Sequence, residues 1–269
     1  MHWRVPVNAI GACAGGFCAY AVFLLALAPA TLLDSGVQRA TGGRVRLAEA
    51  HGTLWSGTAQ LEIRDATGRT GVGRYLSWQF QPQSLLRGKL GVEVDIADAV
   101  KPFPLSLSLS RLEISDAQFV LPAAALGVAA PRLALIGPTG DLFFRSSNFY
   151  FARGAVSGNA VVEWRFAGSA LTPVSPLGDY ELRLDGGSGG LSASLRTLKG
   201  PLYLEGKGLR ANNGPPTFSA TARVDPQLLP QLAPFLRLIA IERGEGVFEL
   251  QFNQSIGLAP QVPPGPVRQ

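Results

Sequence analysis

From residue 45 onward apolar and polar residues alternate with a period of two. The apolar positions are Val45 and Leu47; Leu54, Ala59, Leu61 and Ile63; Val92, Val94 and Ile96; Leu105, Leu107 and Leu109; Val161, Val162, Trp164 and Phe166; Leu182 and Leu184; Leu202 and Leu204; Val247, Phe248, Leu250 and Phe252. Successive side chains of a strand point to opposite faces, so this pattern predicts half-buried strands of antiparallel sheet. Gly, Asn and Pro interrupt the runs every ~8 to 12 residues, the spacing of an all-β protein with Gly-rich stacked or twisted sheets. In PLSLSLSRLEISDAQFVL the alternation slips at Arg111 before Leu112 and Ile114, which predicts a β-bulge at Ser110–Arg111.

Two segments carry a helical signature instead. TLLDSGVQRATGG reads as a short helix closed by Gly42 and Gly43, a stalk over residues 34–43. DPQLLPQLAPFLRLI offers Asp225 as N-cap, Pro226 at the first helical position, and Leu228, Leu229, Leu232, Leu236 and Ile239 on one side. Pro230 and Pro234 bend this second helix, and its apolar face covers one end of a sheet. The last stretch, residues 257–269, is Pro-rich and reads as a disordered tail.

The opening of the chain has no period of two. Val5 to Leu33 contains no charged residue, and AIGACAGGFCAYAVFLLALA is long enough to cross a hydrocarbon core of ~30 Å. A transmembrane anchor over residues 1–33 is the expectation. Ala26-Leu27-Ala28 resembles a signal-peptidase site, but Pro29 follows it, and the apolar run exceeds the ~7–15 residues of a signal peptide. Cys13 follows a faint lipoprotein pattern with its hydrophobic stretch on the wrong side. Arg4 and Trp3 precede the run and Asp34 follows it, which predicts a cytoplasmic N-terminus. The β-rich domain over residues 44–256 then lies on the far side, the periplasm of a Gram-negative bacterium. Cys13 and Cys18 both sit in the anchor, so the exported part has no disulfide framework.

Charge narrows the functional classes. The net charge of +5 is spread along the chain without a Lys/Arg cluster interleaved with aromatics, which argues against nucleic-acid binding. Charged residues are only 16%, below the ~25% usual in soluble domains, while 32 Gly and 20 Pro fit many turns between short strands.

Catalytic chemistry has little to work with. His2 and His51 are the only histidines, so no metal set and no nucleophile-base-acid set with a spare histidine can be assembled. His51 beside Gly52 reads as a turn or surface residue. Asp95 and Asp98, Glu113 and Asp116, and Asp179 through Asp185 lack calcium-loop spacing, and GDYELRLDGGSGG lacks the following helix that would cradle a phosphate. No catalytic residue, no cofactor, no metal and no small-molecule substrate is expected. Phe143, Phe144, Phe149, Tyr150 and Phe151 form a dense aromatic cluster: core packing is one reading, and an apolar contact surface for lipid or a partner through Phe143, Phe149 and Phe151 is the other. Gly52–Gly57, Gly154–Gly158 and Gly200–Gly206 each bracket a short apolar stretch, either windings of a stacked sheet or the coincidences of a Gly-rich chain.

The order of an anchor, LAEAHGTLWSGTAQL, LSWQFQPQSLLRGKLGVEV, PLGDYELRLDGG and LRTLKGPLYLEGKG resembles protein N of the type II (general) secretion system. The most specific residues are Gly52, Thr53, Leu54, Trp55, Ser56 and Gly57, supported by Gly178 and Tyr180 and by Gly200, Leu202 and Gly206. The resemblance implies a non-catalytic, single-pass inner-membrane component of the machinery that moves folded proteins from the periplasm across the outer membrane. Its partners would be other inner-membrane or periplasmic secretion components and inner-membrane lipid. The family's sheets also resemble AsmA-like proteins, which leaves periplasmic lipid binding or transfer as the alternative.

Overall fold

The computed structural model describes residues 7–64, 73–97, 99–129, 131–152, 155–211, 214–244 and 246–253. The expected tail at 257–269 lies outside them. The chain is mostly antiparallel sheet, as the alternation predicts. It divides into two compact units, Met1–Thr139 and Gly140–Gln269.

The first unit opens with helices α1 (Val7–Ala26) and α2 (Thr31–Thr41). Side chains of residues 7–15 and 18 lie outside the described set, and among the described residues no helix is long and apolar enough to cross a membrane. Strands β1 (Val45–Gly52), β2 (Ser56–Ile63), β3 (Arg74–Gln81), β4 (Leu90–Ile96), β5 (Phe103–Ser108) and β6 (Arg111–Ile114) follow in a meander, each pairing antiparallel with the next. A 3-10 turn at Pro82–Arg87 joins β3 to β4; β7 (Gln118–Pro122), a 3-10 turn at Ala123–Ala125 and the short helices α3 (Leu126–Ala129) and α4 (Pro131–Ala134) complete the unit.

Helix α2 forms where the composition predicts it and ends as predicted. Gly42 adopts φ 61°, a left-handed cap that costs glycine little, and Gly43 N–H donates to the Gln38 carbonyl at 2.7 Å. One side of α2 lies on β1, where Leu33 and Val37 pack against a buried cluster of Ala30, Leu47, Ala59 and Trp78. Asp34, in the first turn of α2, accepts the Leu47 N–H on Oδ1 at 2.8 Å and the Gln38 side-chain amide on Oδ2 at 2.7 Å. An outward-facing backbone donor of β1 is thereby satisfied by a side chain.

The phase slip at Arg111 has a different cause from the expected bulge. Leu105 faces Ile114, Leu107 faces Leu112 and Ser108 faces Arg111, so the chain reverses at Leu109–Ser110 in a two-residue hairpin turn. Reversal restores the apolar face as well as an extra residue would, and it leaves Leu109 fully exposed at the tip.

The second unit is built from β8 (Pro138–Ala152), β9 (Ala155–Ser169), β10 (Gly178–Gly187), β11 (Gly190–Lys199), β12 (Leu202–Arg210), β13 (Thr217–Val224), helix α5 (Leu229–Ile239), β14 (Ile241–Gly244) and β15 (Val247–Asn253). Its strand order runs from β8 to β13, then β15, then β14 at the edge. Register aligns Val162, Leu182, Leu195, Gly206, Ala220 and Leu250 as one row across six strands. Phe166 does not continue the apolar face of β9: its φ of 50° interrupts the alternation and it stands 67% exposed. Of the three glycine pairs, Gly52 and Gly57 face each other across the β1–β2 turn and bracket no strand. Gly154 lies outside the described residues. Gly200 and Gly206 do enclose the first half of β12.

Helix α5 buries Leu232, Ala233, Phe235 and Leu236, with Phe248 of β15 wholly buried as well. It begins later than Asp225 and Pro226 suggest. Asp225 instead heads a turn, accepting Gln227 N–H on Oδ1 at 3.0 Å and Leu228 N–H on its carbonyl at 2.9 Å, and Pro230 takes the first helical positions. A proline missing its N–H is tolerated there, so the second proline of the segment sets the start. Replacing Leu232 by Ala is expected to lower the unfolding free energy of the full-length protein by about 2–5 kcal/mol in urea titrations, whereas Leu238→Ala, 71% exposed on the same helix, is expected to change it by less than about 0.5 kcal/mol.

Candidate functional site

The residues Gly52 to Gly57 form the turn between β1 and β2 and hold the segment that leaves α1. Pro29 bridges Thr53 in antiparallel fashion, Leu54 N–H donates to the Ala28 carbonyl at 2.7 Å, and Ala30 N–H donates to the Gly52 carbonyl at 3.1 Å. The link between the two helices is therefore pinned along the turn by backbone bonds. Ala28 and Ala30 are buried, which suits residues whose backbone must come this close.

Each motif residue has a distinct task. Gly52 has φ 94°, and a Cβ there would stand 2.5 Å from the Ser56 carbonyl oxygen. At Gly57 a Cβ would collide with the His51 carbonyl and the Trp78 ring. Thr53 Oγ1 accepts the N–H groups of Trp55 at 3.3 Å and Ser56 at 3.2 Å, tying the turn to itself. Trp55 Nε1 donates to the Leu25 carbonyl at 2.8 Å, in the last turn of α1, where helix carbonyls lack intrahelical partners. The Trp55 ring lies 5.0 Å from Phe80, and its carbonyl accepts Phe80 N–H at 2.6 Å. Beneath them, Trp78 Nε1 donates to the Leu54 carbonyl at 3.2 Å.

Gly178, Tyr180, Gly200, Leu202 and Gly206 belong to the second unit and form a separate cluster. The register of β10 shifts between Gly178 and Tyr180 against β9, and between Asp179 and Tyr180 against β11. Gly200, at φ 125°, would drive a Cβ into the Gly178 Cα, so two backbones meet where only glycines fit. Tyr180 is buried and donates its hydroxyl to the Leu202 carbonyl at 3.0 Å, and Leu202 N–H donates to the Leu177 carbonyl at 3.2 Å. Burial, and the neighbouring Asp179 charge, push the Tyr180 phenol well above its ordinary range. In β12, a Cβ on Gly206 would stand 2.8 Å from Ala220 Cβ.

Four carboxylates tie strands or strand ends together. Asp179 Oδ1 accepts Phe166 N–H at 2.8 Å beside the bulge, and Asp185 accepts Asn159 Nδ2 at 2.8 Å. Glu113 pairs with Lys89 at 3.3 Å. Glu181 accepts Arg183 Nε at 2.7 Å and Arg196 Nε at 2.8 Å on one oxygen, and these bonds, that to Arg196 foremost, hold its carboxyl below the usual carboxylate range. Asp98 lies outside the described residues. His51 is exposed on β1. Among the described residues no group of three or more His, Cys, Asp or Glu could hold a metal ion.

The aromatic cluster lies along β8 and is divided by a kink at Asn148, φ 49°. Phe143 is half-buried with the Arg165 guanidinium 4.4 Å over its ring, Phe149 is half-buried, and Phe151 is exposed. Sequence reasoning missed Trp78 and Glu181. An indole inside the run YLSWQFQ looks like any core residue until its partner carbonyl is known. The Glu181–Arg196 pairing required the β10–β11 register.

A family model described as type II secretion system (T2SS), protein N matches residues 43–251, which include every motif residue above. The chain matches none of the curated proteins and none of the solved structures.

Two outcomes test these clusters. Tyr180→Phe leaves the buried Leu202 carbonyl without its donor and is expected to destabilise the protein by about 1–3 kcal/mol in urea titrations, with Gly200→Ala at least as damaging. For Glu181, a folded-state pKa below its ordinary 4.5 means that its stabilisation is fully present above that value and is lost as pH falls through the folded pKa. The urea midpoints of the native protein and Glu181→Gln should therefore differ at about pH 7, and the difference should shrink as the pH falls below the ordinary carboxylate range.

Proposed function

The chain belongs to the type II secretion system protein N family, and from that premise we propose that it is a non-catalytic, single-pass inner-membrane component of the secretion machinery. Its N-terminus would face the cytoplasm and its two β units the periplasm, where they would support export of folded proteins across the outer membrane. The observation that carries this reading is the turn at Gly52–Gly57. A motif built to fasten a helix exit to a sheet is what a membrane-tethered periplasmic body needs. Pinning Ala28–Ala30 against the turn sets the body at a fixed distance from the end of the uncharged run Val5–Leu33.

Partners would be other inner-membrane or periplasmic secretion components. Addition of a partner strand to β1 is disfavoured, since Asp34 caps the Leu47 N–H and the Pro29 segment pairs with the β1–β2 turn. In the second unit, the edge strand β14 is four residues long and bears Glu242 and Arg243, each ion-paired. Short charged edges discourage strand addition. Side-chain faces and the anchor are then the means of contact.

The lipid-handling alternative has one observation in its favour, the row on the second unit's sheet in which Val162, Leu182 and Leu195 remain only half-buried. Native mass spectrometry of the protein released from membranes separates the two: co-purified lipid in stoichiometric amount supports the alternative, and its absence removes it.

Deleting the gene is expected to leave secreted enzymes in the periplasm, and alkaline phosphatase fused after Gln269 is expected to be active where a cytoplasm-dependent fluorescent reporter at the same site is dark. Normal enzyme levels in the medium would end the secretion role. A bright reporter with inactive phosphatase would reverse the topology.

A further inference from the structure

In the first unit's meander, three connections lie at the same end of the sheet. Ser56 pairs with Gln79, Gln81 with Gly91, Leu90 with Leu107 and Ser108 with Arg111, which places the turns at 53–55, 82–89 and 109–110 side by side. This is also the end that receives the exit of α1, through the bond from Trp55 to the Leu25 carbonyl.

Turn tips in water are ordinarily polar, but two of these also present exposed leucines. Leu85 and Leu86 are exposed in the middle turn, Leu86 to 92%, and Leu109 stands free at the third tip with Leu90 and Leu107 exposed just behind. These leucines lie outside the buried cluster of Ala30, Leu47, Ala59 and Trp78 and are not among the residues packed against it. Cations flank the leucines: Arg87 and Lys89 follow the pair, and Arg111 follows Leu109. Glu113, the acidic residue among them, is engaged by Lys89 at 3.3 Å and Arg111 at 3.8 Å.

We propose that this rim, centred on Leu85, Leu86 and Leu109, is a second membrane contact that dips into the phospholipid headgroup layer beside the anchor. The proposal rests on the anchored reading of α1 for its geometry. If Leu25 ends the membrane helix, the rim stands at the same level, because neighbouring strands are only ~4.8 Å apart and the three tips belong to adjacent hairpins. Apolar tips rimmed by cations match a surface of acyl chains under anionic headgroups, and Trp55, in the turn at the same end of the sheet, is an aromatic type favoured at that boundary. Two attachments, one helix and one rim, would hold the first unit in a fixed orientation over the bilayer where a single helix would let it swivel.

The test uses the full-length chain carrying Cys13→Ser and Cys18→Ser, reconstituted in vesicles of phosphatidylethanolamine and phosphatidylglycerol. A polarity-sensitive fluorophore is placed singly at Leu24→Cys, Leu86→Cys, Leu109→Cys or Val100→Cys, all exposed or free-standing positions, the last at the opposite end of the sheet. The expected result is blue-shifted emission, quenched by lipid-borne quenchers, at 24, 86 and 109 but not at 100. Aqueous emission at 86 and 109 with a lipid signal at 24 overturns the rim and leaves the anchor standing. A lipid signal at 86 and 109 with an aqueous 24 keeps the rim as a membrane contact and overturns the anchor. Aqueous emission at all three overturns both, and a lipid signal at 100 equal to that at 86 also overturns the rim.

Discussion

Backbone contact without side chains in between is the constraint on which this protein depends. At the β1–β2 turn the His51 carbonyl and the Trp78 indole occupy a space in which Gly57 has no room for a Cβ. At the Gly178–Gly200 crossing two chains approach so closely that either methyl would meet the other's backbone. Both places are also where a polar ring group closes the gap, Trp78 Nε1 on the Leu54 carbonyl and Tyr180 Oη on the Leu202 carbonyl. Close approach leaves carbonyls facing inward, and a long aromatic donor can reach them without adding unsatisfied atoms.

How much of this could be read from residues alone follows from how local each signal is. Alternation marks strands because the period of two is intrinsic to the extended chain, so β1, β2, β4, β10 and β15 were visible in Val45 and Leu47, Ala59 and Leu61, or Phe248 and Leu250. Helix α2 was equally plain, since Gly42 and Gly43 stop it within one turn. Leu109 and Phe166 misled the pattern for a common reason: a turn and a left-handed residue both change the phase, and neither changes composition. The start of α5 depended on which of three prolines had a spare N–H position, a matter of one residue's hydrogen bond. The motif glycines were recognisable as a set, but their use was not, because Gly57 makes room for Trp78 and Gly178 for the Lys199 carbonyl, about twenty residues further along the chain in each case.

Among the described residues, electrostatics organises strands. Glu181, Arg183 and Arg196 join adjacent strands on one face of the second unit's sheet, and Asp179 secures the strained backbone of Phe166. Charges placed in this way fix register, which a Gly-rich sheet with weakly specified packing needs. The dispersal of a net +5 charge across such pairs is consistent with a body whose interactions lie in its surfaces and termini.

The bond from Leu54 to the Ala28 carbonyl makes the residues before the sheet part of the sheet's own structure. A fragment starting at Thr31 would lose the Pro29 bridge and the buried Ala30 together, leaving the Leu54 N–H and the Gly52 carbonyl without their partners. A truncated version for crystallisation or for raising antibodies has to start upstream of Ala28 and tolerate a few greasy residues at its new amino end.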